Sequence, residues 1–197
     1  TAGLSFPVQG SAGFNGTSDY IDTGIANESW PSVYSVSFWA NVKSGSIDGM
    51  PFTIGNGYSG DGFFFEYRAS TNAWEFWFST TGLQVSNTAY SNEWAYISMT
   101  YNGSVINLYK DGSLIGSVNG TILAPTTYLA QIGKYKDGAL GYWWDGNLAN
   151  VAIWNRALSS DEINSVMWKP VQALSATESN GLQAWYSLDD IASPTAS

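Results

Sequence analysis

The sequence contains no cysteine and no histidine among its 197 residues. Without cysteine the chain forms neither disulfides nor a catalytic thiolate, so disulfide scaffolds and thiol enzymes are excluded. Without histidine it lacks the commonest general base and the commonest metal ligand near neutral pH. Any chemistry therefore has to come from carboxylates, hydroxyls, amides, amines and aromatic rings.

Charge is also scarce, and basic charge most of all. Only 12% of the residues are charged, and 7 basic against 16 acidic residues give a net charge of −9. Such a chain repels phosphate backbones, which argues against nucleic-acid binding. No apolar run approaches the ~20 residues that cross a bilayer, so we expect no membrane insertion. Because the sequence begins at Thr1, we expect a processed form or an excised segment.

The remainder is rich in aromatic and small polar residues. Aromatics make up 16% of the chain, including 10 Trp and 12 Tyr, and apolar residues make up 44%. This is ample material for a core about 10 Å thick between two sheets. Low charge together with abundant Ser, Thr, Asn and Gly indicates a protein that works outside cells, on a cell surface or on a virus particle.

Short alternating runs of apolar and polar residues, separated by turn signals, extend through most of the chain. Asn102-Gly103 and Asp111-Gly112, for example, each separate two such runs. Turn signals about every 8 to 12 residues favour an antiparallel sandwich over a helical fold. All-β sandwiches of this size are commonly single units, so we expect one domain.

The most informative stretch covers residues 143–167 and reads WWDGNLANVAIWNRALSSDEINSVM. Its first half predicts a long, slightly bulged central strand in which Gly146 permits close backbone approach. Ser159 and Glu162 then have the spacing of a capping box, which predicts one short helix near residues 160–167. We expect this helix to lie against the sandwich.

Five segments share their pattern and order with one known family. They are GFNGTSDYIDTG (13–24), SVSFWANVK (35–43), WAYISMTYNGSVINLYKDG (94–112), DGNLANVAIWNRALSSDEI (145–163) and GLQAWYSLDD (181–190). Together they resemble the laminin-G-like, or concanavalin A-like lectin/glucanase, jelly-roll domains. The resemblance implies an all-β, two-sheet antiparallel jelly roll over residues 1–190, and we interpret residues 191–197 as a tail or linker. Lectins, adhesion modules, lyases and hydrolases share this fold, so it leaves the function open.

We expect no enzymatic activity. Hydrolases of this family carry a Glu-x-Asp-x-x-Glu motif that the sequence lacks, and its lyases normally need histidine. Glu66 and Glu75 could face each other across a hairpin, as the two carboxylates of a glycosidase do. Paired carboxylates on a strand are more often solvated, however, and Arg68 is close enough to neutralise one of them.

The same hairpin offers the best candidate for a ligand-binding surface. Alternation places Phe64 and Trp77 on the face that also carries Glu66, Arg68 and Glu75. Sugars present C–H patches to aromatic rings and hydroxyls to polar groups, so this mixture suits a saccharide. The candidate ligand-binding residues are Phe64, Trp77, Glu66, Arg68, Tyr58 and Tyr135. Alternatively, a loop covers the rings and they form a second small core.

Calcium is the cofactor that the resemblance implies, because members of the family often bind it. Candidate ligands are Asp48, Asp61 and Asp137, which lie in Gly-rich loops. Each stands alone in the sequence, however, and Asp also forms turns without any metal. Asn150 stands where relatives often have Asp, which argues against an ion near that strand.

Two hypotheses for function remain. The first is a non-catalytic carbohydrate-binding or adhesion module of an extracellular or virion surface protein, with a glycan or cell-surface polysaccharide as partner. The alternative is a structural module of a virus particle or surface layer that packs against neighbouring subunits.

Overall fold

Two antiparallel β-sheets pack face to face around a shared core. The computed structural model describes residues 10–26, 30–56, 60–78, 81–88, 91–126, 129–135 and 142–189. The predicted all-β jelly roll is therefore confirmed. In these ranges no helix is both long enough and apolar enough to cross a membrane.

Within the described ranges the strands follow one another closely along the chain. They are β1 (Ala12–Asn15), β2 (Ile21–Asp22), β3 (Tyr34–Val42), β4 (Gly49–Gly55), β5 (Gly62–Arg68), β6 (Ala73–Phe78), β7 (Thr81–Thr88), β8 (Trp94–Tyr101), β9 (Val105–Lys110), β10 (Ser113–Asn119), β11 (Gln131–Ile132), β12 (Asp145–Trp154) and β13 (Leu182–Tyr186). The first sheet has the order β1-β12-β3-β8-β9-β10, and β13 also pairs with β12. The second sheet has the order β2-β11-β4-β5-β6-β7.

The core lies between the two sheets because alternate side chains of each strand point inward. Val36, Phe38 and Ala40 of β3 are buried there, and the ring of Phe38 meets the ring of Phe65 edge to face at 5.0 Å. The face of the β5–β6 hairpin opposite Phe64 and Trp77 points into this core. Its buried members are Phe63, Phe65, Tyr67, Trp74, Phe76 and Phe78.

Strand β12 is the long bulged strand that the sequence predicted. Its register with β3 shifts between Ala149 and Ala152, and Asn150 within the bulge has a φ of 48°. A Cβ atom on Gly146 would collide with the carbonyl oxygen of Asn41 on β3. Glycine at this position is therefore required for the two strands to pair closely.

Two short helices follow β12 within residues 155–189, although the sequence predicted only one. Helix α1 (Ser160–Val166) begins after Ser159, which forms the predicted capping box with Glu162. Helix α2 (Ala176–Ser179) is the one that the sequence analysis did not predict. Ser175 and Glu178 cap α2 in the same way. A 3₁₀ turn at Val171–Ala173 lies between the helices.

Asn15 and Gly16 form a turn that leads from one sheet to the other. Strand β1 before it pairs with β12, whereas β2 after it pairs with β11 in the second sheet. The side-chain oxygen of Asn15 accepts hydrogen bonds from the backbone N–H groups of Thr17, Ser18 and Asp19. The turn therefore forms a crossing between the sheets, because the asparagine side chain organises the backbone that follows it.

Candidate functional site

The outer face of the β5–β6 hairpin brings four of the six predicted binding residues together, Phe64, Glu66, Arg68 and Trp77. The two strands are joined by residues 69–72, and their register pairs Phe64 with Trp77 and Glu66 with Glu75. Arg68 lies two residues after Glu66 and shares its face. The alternation in the sequence is thus sufficient to place one aromatic pair and one carboxylate pair side by side.

A single guanidinium lies among three carboxylates on this face. Arg68 Nη2 lies 3.0 Å from Glu66 Oε2, Nε lies 2.9 Å from Glu75 Oε2, and Nη1 lies 3.3 Å from Asp48 Oδ2. The side chains of Glu66 and Glu75 are 0% and 1% exposed, whereas that of Arg68 is 24% exposed. We call these four residues, Asp48, Glu66, Arg68 and Glu75, the arginine cluster.

The positive charge of Arg68 offsets the repulsion between these carboxylates. Like charges directly opposite each other on neighbouring strands destabilise a sheet, and buried carboxylates add the cost of desolvation. Burial alone lowers the pKa of the Arg68 guanidinium, but Glu75, Glu66 and Asp48 outweigh this effect and hold the pKa above its ordinary value. The guanidinium therefore stays charged and balances part of the negative charge around it.

Trp77 lies beside the arginine cluster and is half-buried. Its indole Nε1 donates a hydrogen bond to Glu75 Oε2 at 2.9 Å, so the polar edge of the ring is directed toward the cluster. Its ring stacks against Phe64 with centroids 6.4 Å apart and an angle of 16° between the planes. Both contacts fix the orientation of a ring that solvent still reaches.

Two of the other predicted aromatic residues, Phe64 and Tyr135, are buried. Phe64 and Tyr135 form a small core with Met50, against which Trp77 and Tyr142 pack. The Tyr135 hydroxyl donates to Asn56 Oδ1 at 2.9 Å, and its ring meets Phe64 edge to face at 5.4 Å. Solvent reaches at most 1% of either residue. The alternative interpretation, a second small core, therefore describes Phe64 and Tyr135, and Trp77 packs against this core.

Asp48 contributes to the arginine cluster, and each of its carboxylate oxygens already accepts a hydrogen bond from the protein. Its Oδ1 accepts from the backbone N–H of Ala69 at 2.7 Å, and its Oδ2 accepts from Arg68. Asp137 and the predicted ligand-binding residue Tyr58 lie outside the described residues.

Asp61 likewise binds protein donors. Its carboxylate accepts from the backbone N–H of Asn56, and from the backbone N–H and hydroxyl of Thr126. Burial raises the pKa of Asp61, but these hydrogen bonds outweigh burial and lower it. The described residues contain no group of three or more acidic side chains placed to hold a metal. Asp48 and Asp61 thus do not fit calcium as they are placed, and calcium binding stays a prediction.

Sequence analysis did not single out a polar cleft on the outer face of the first sheet. The cleft has a volume of about 310 Å³. Asn41 and Asn147 lie opposite each other on β3 and β12 within it, and Lys43 pairs with Asp145 at 3.3 Å nearby. The signal for this cleft in the sequence is weak: Asn41 and Asn147 each lie next to residues that are buried in the structure.

Residues 15–164 match a family model described as the concanavalin A-like lectin/glucanases superfamily. The chain belongs to this superfamily. The resemblance seen in the five sequence segments is therefore confirmed over most of the domain. No curated protein matches the sequence of this superfamily member.

Solved structures with the same fold are distant in sequence. A candidate carbohydrate-binding protein from Bacteroides ovatus has a TM-score of 0.74 and 15% identity, covering 91% of this chain and 51% of its own. The CBM40 module of the Ruminococcus gnavus IT-sialidase, solved with α2,3-sialyllactose, has a TM-score of 0.64 and 12% identity. The match covers 81% of this chain and 97% of the module. A SAP-like pentraxin from Limulus polyphemus has a TM-score of 0.56 and 13% identity, and the match covers 85% of this chain and 78% of the pentraxin chain. This superfamily member thus spans about half the length of the Bacteroides protein.

Proposed function

We propose that this chain is a non-catalytic carbohydrate-binding module whose saccharide site is the outer face of the second sheet, centred on Trp77. The observation that carries the proposal is a solvent-reached indole held in a fixed orientation next to charged groups. An aromatic ring packs against the C–H face of a sugar, while polar groups at its edge bind the hydroxyls. Arg68 and Asp48 supply such groups within the arginine cluster.

The arginine cluster supports binding without catalysis. A glycosidase needs two carboxylates that reach opposite sides of a glycosidic bond. Glu66 and Glu75 are instead buried, and both lie against the same guanidinium. Their role in this proposal is to hold Arg68 and Trp77 in place.

Two of the structural neighbours support a saccharide ligand. The Bacteroides ovatus protein is named for carbohydrate binding, and the Ruminococcus gnavus module was solved with a sialylated sugar. We extend to this chain only the general class of ligand. We also propose an extracellular or surface location, because free polysaccharides and cell-surface glycans are found there.

A glycan array followed by calorimetric titration of the best ligand tests the proposal. Trp77→Ala should weaken binding by at least about tenfold, since a stacked ring contributes roughly 1.4 kcal/mol or more. The matched control is Trp185→Ala, which removes a half-buried tryptophan from β13 of the first sheet. Absence of saccharide binding, or equal loss in both variants, would contradict the proposal.

Repeating the titration with a chelator tests the calcium prediction. Loss of binding in chelator and recovery with added Ca²⁺ would support the calcium prediction. The alternative function, packing within a virus particle or surface layer, stays a hypothesis.

A further inference from the structure

The positive charge of Arg68 is already matched by protein carboxylates. Asp48, Glu66 and Glu75 all lie within 3.3 Å of the guanidinium. Arginine recognises acidic ligands by offering two parallel N–H groups to one carboxylate. An acidic sugar would bring a fourth carboxylate to a guanidinium that already has three.

The second arginine of the chain is also engaged, and it lies on the other side of the molecule. Arg156 pairs with Glu162 at 2.7 Å and donates to the backbone carbonyls of Asn180 and Thr177 at 2.6 and 2.9 Å. The chain has no other arginine, and its net charge is −9. Neither arginine is therefore placed to recruit an acidic ligand.

Arg68 keeps hydrogen-bonding capacity for uncharged ligands. Nη1 and Nη2 carry two N–H groups each, and each nitrogen donates once, to Asp48 and Glu66 respectively. One N–H group on each nitrogen thus has no acceptor among the described residues. A sugar hydroxyl or ring oxygen can accept such a bond, and a hydroxyl can donate to the partly exposed Asp48 carboxylate.

From this geometry we infer that the Trp77 surface selects uncharged saccharides and rejects acidic ones such as sialylated or uronic acid sugars. The inference rests on the proposed function and adds the class of ligand. The ring of Trp77 binds neutral and acidic sugars alike, because both present C–H faces. Discrimination therefore comes from the arginine cluster, in which three carboxylates surround one cation.

The test compares pairs of sugars that differ in one carboxylate. Suitable probes are lactose with α2,3-sialyllactose, and oligosaccharides of glucose or galactose with those of the corresponding uronic acids. At low salt each acidic probe should bind at least about fivefold more weakly than its neutral counterpart, as expected for like charges about 8 Å apart in a medium of intermediate polarity. The difference should shrink at 1 M salt, where the screening length falls from ~30 Å to ~3 Å.

Two variants separate charge from shape. Asp48→Asn removes one carboxylate from the arginine cluster while its amide oxygen can still accept from Ala69. The ratio of neutral to acidic affinity should fall about threefold or more. Asp161→Asn, an exposed position on α1, changes the net charge equally and should leave the ratio unchanged.

The outcomes distinguish a failure of the inference from a failure of the proposed function. Acidic probes that bind as well as neutral ones, with binding lost in Trp77→Ala, would overturn the inference while the function stands. If the ratio of neutral to acidic affinity changes neither with salt nor in Asp48→Asn, the inference is also overturned, since the shape of the site would then be the cause. If no probe binds at all, the proposed function fails and the inference falls with it.

Discussion

The two sheets share one core, but the outward-facing tryptophans of each sheet are buried to different extents. On the first sheet, Trp39 and Trp154 are buried beneath the helical segment. Their indole N–H groups donate to the backbone carbonyls of Met167 at 3.0 Å and Glu178 at 2.9 Å. On the second sheet, Trp77 donates instead to Glu75, on its own strand, and solvent still reaches its ring. The two sheets therefore differ in the surroundings of the tryptophans on their outer faces.

This contrast predicts that Trp154 serves stability. Trp154→Ala should lower the free energy of unfolding by about 3–5 kcal/mol, because it leaves a large cavity under the helices and an unpaired carbonyl. Trp77→Ala should cost less than about 2 kcal/mol, since its ring is already partly solvated. Urea denaturation followed by circular dichroism measures both. Equal losses would mean that Trp77 is as structural as Trp154.

Charge is a second point of contrast, because the second sheet buries two carboxylates opposite each other. Arg68→Met keeps the aliphatic packing but removes the cation, and should destabilise the fold by about 3 kcal/mol. Adding Glu66→Gln and Glu75→Gln to that variant should restore much of the loss, because the buried charges are then gone. Denaturation of the single and triple variants measures the coupling. A loss below about 1 kcal/mol for Arg68→Met would show that other groups balance the carboxylates.

A smaller effect concerns the helical cover of the first sheet. Hydrogen bonds from Lys169 and Ser165 are the main causes that lower the pKa of Glu178 to about 2. Because this pKa lies below the ~4.3 of an unfolded glutamate, the stabilisation is complete above that value and is lost as the pH falls toward about 2.

Glu178→Gln measures this contribution. The variant should melt a few °C below the wild type at pH 6, and the gap should close as the pH approaches 2. Differential scanning calorimetry from pH 6 to pH 2 follows the gap. A gap that stays constant with pH would show that Glu178 acts through its cap on α2 and not through its charge.

The sequence predicted elements whose signals are local. The alternation in GFFFEYR and AWEFWFS was sufficient to predict which side chains of the β5–β6 hairpin share a face. The Ser159–Glu162 spacing was sufficient to predict where α1 begins. Helix α2 carries the same signal at Ser175 and Glu178, but the four residues it spans are too few for a visible apolar period. It was missed for that reason.

Exposure could not be predicted in the same way. The sequence places Phe64 and Trp77 on one face, yet whether solvent reaches a ring depends on residues distant in sequence, such as Met50 and Tyr135. The participation of Asp48 in the arginine cluster has the same origin, because it lies 20 residues from Arg68 in the sequence. Long-range contacts of this kind leave no periodic pattern.

The role of Trp77 is tested most directly by nuclear magnetic resonance. The indole N–H signals of the 10 tryptophans can be followed while the best neutral saccharide from the array is titrated in. We predict that the Trp77 signal, assigned by its loss in Trp77→Phe, shifts most, and that the signals of Trp39 and Trp154 stay in place. Saccharide binding that leaves the Trp77 signal unchanged would contradict the assignment of the binding face to the second sheet.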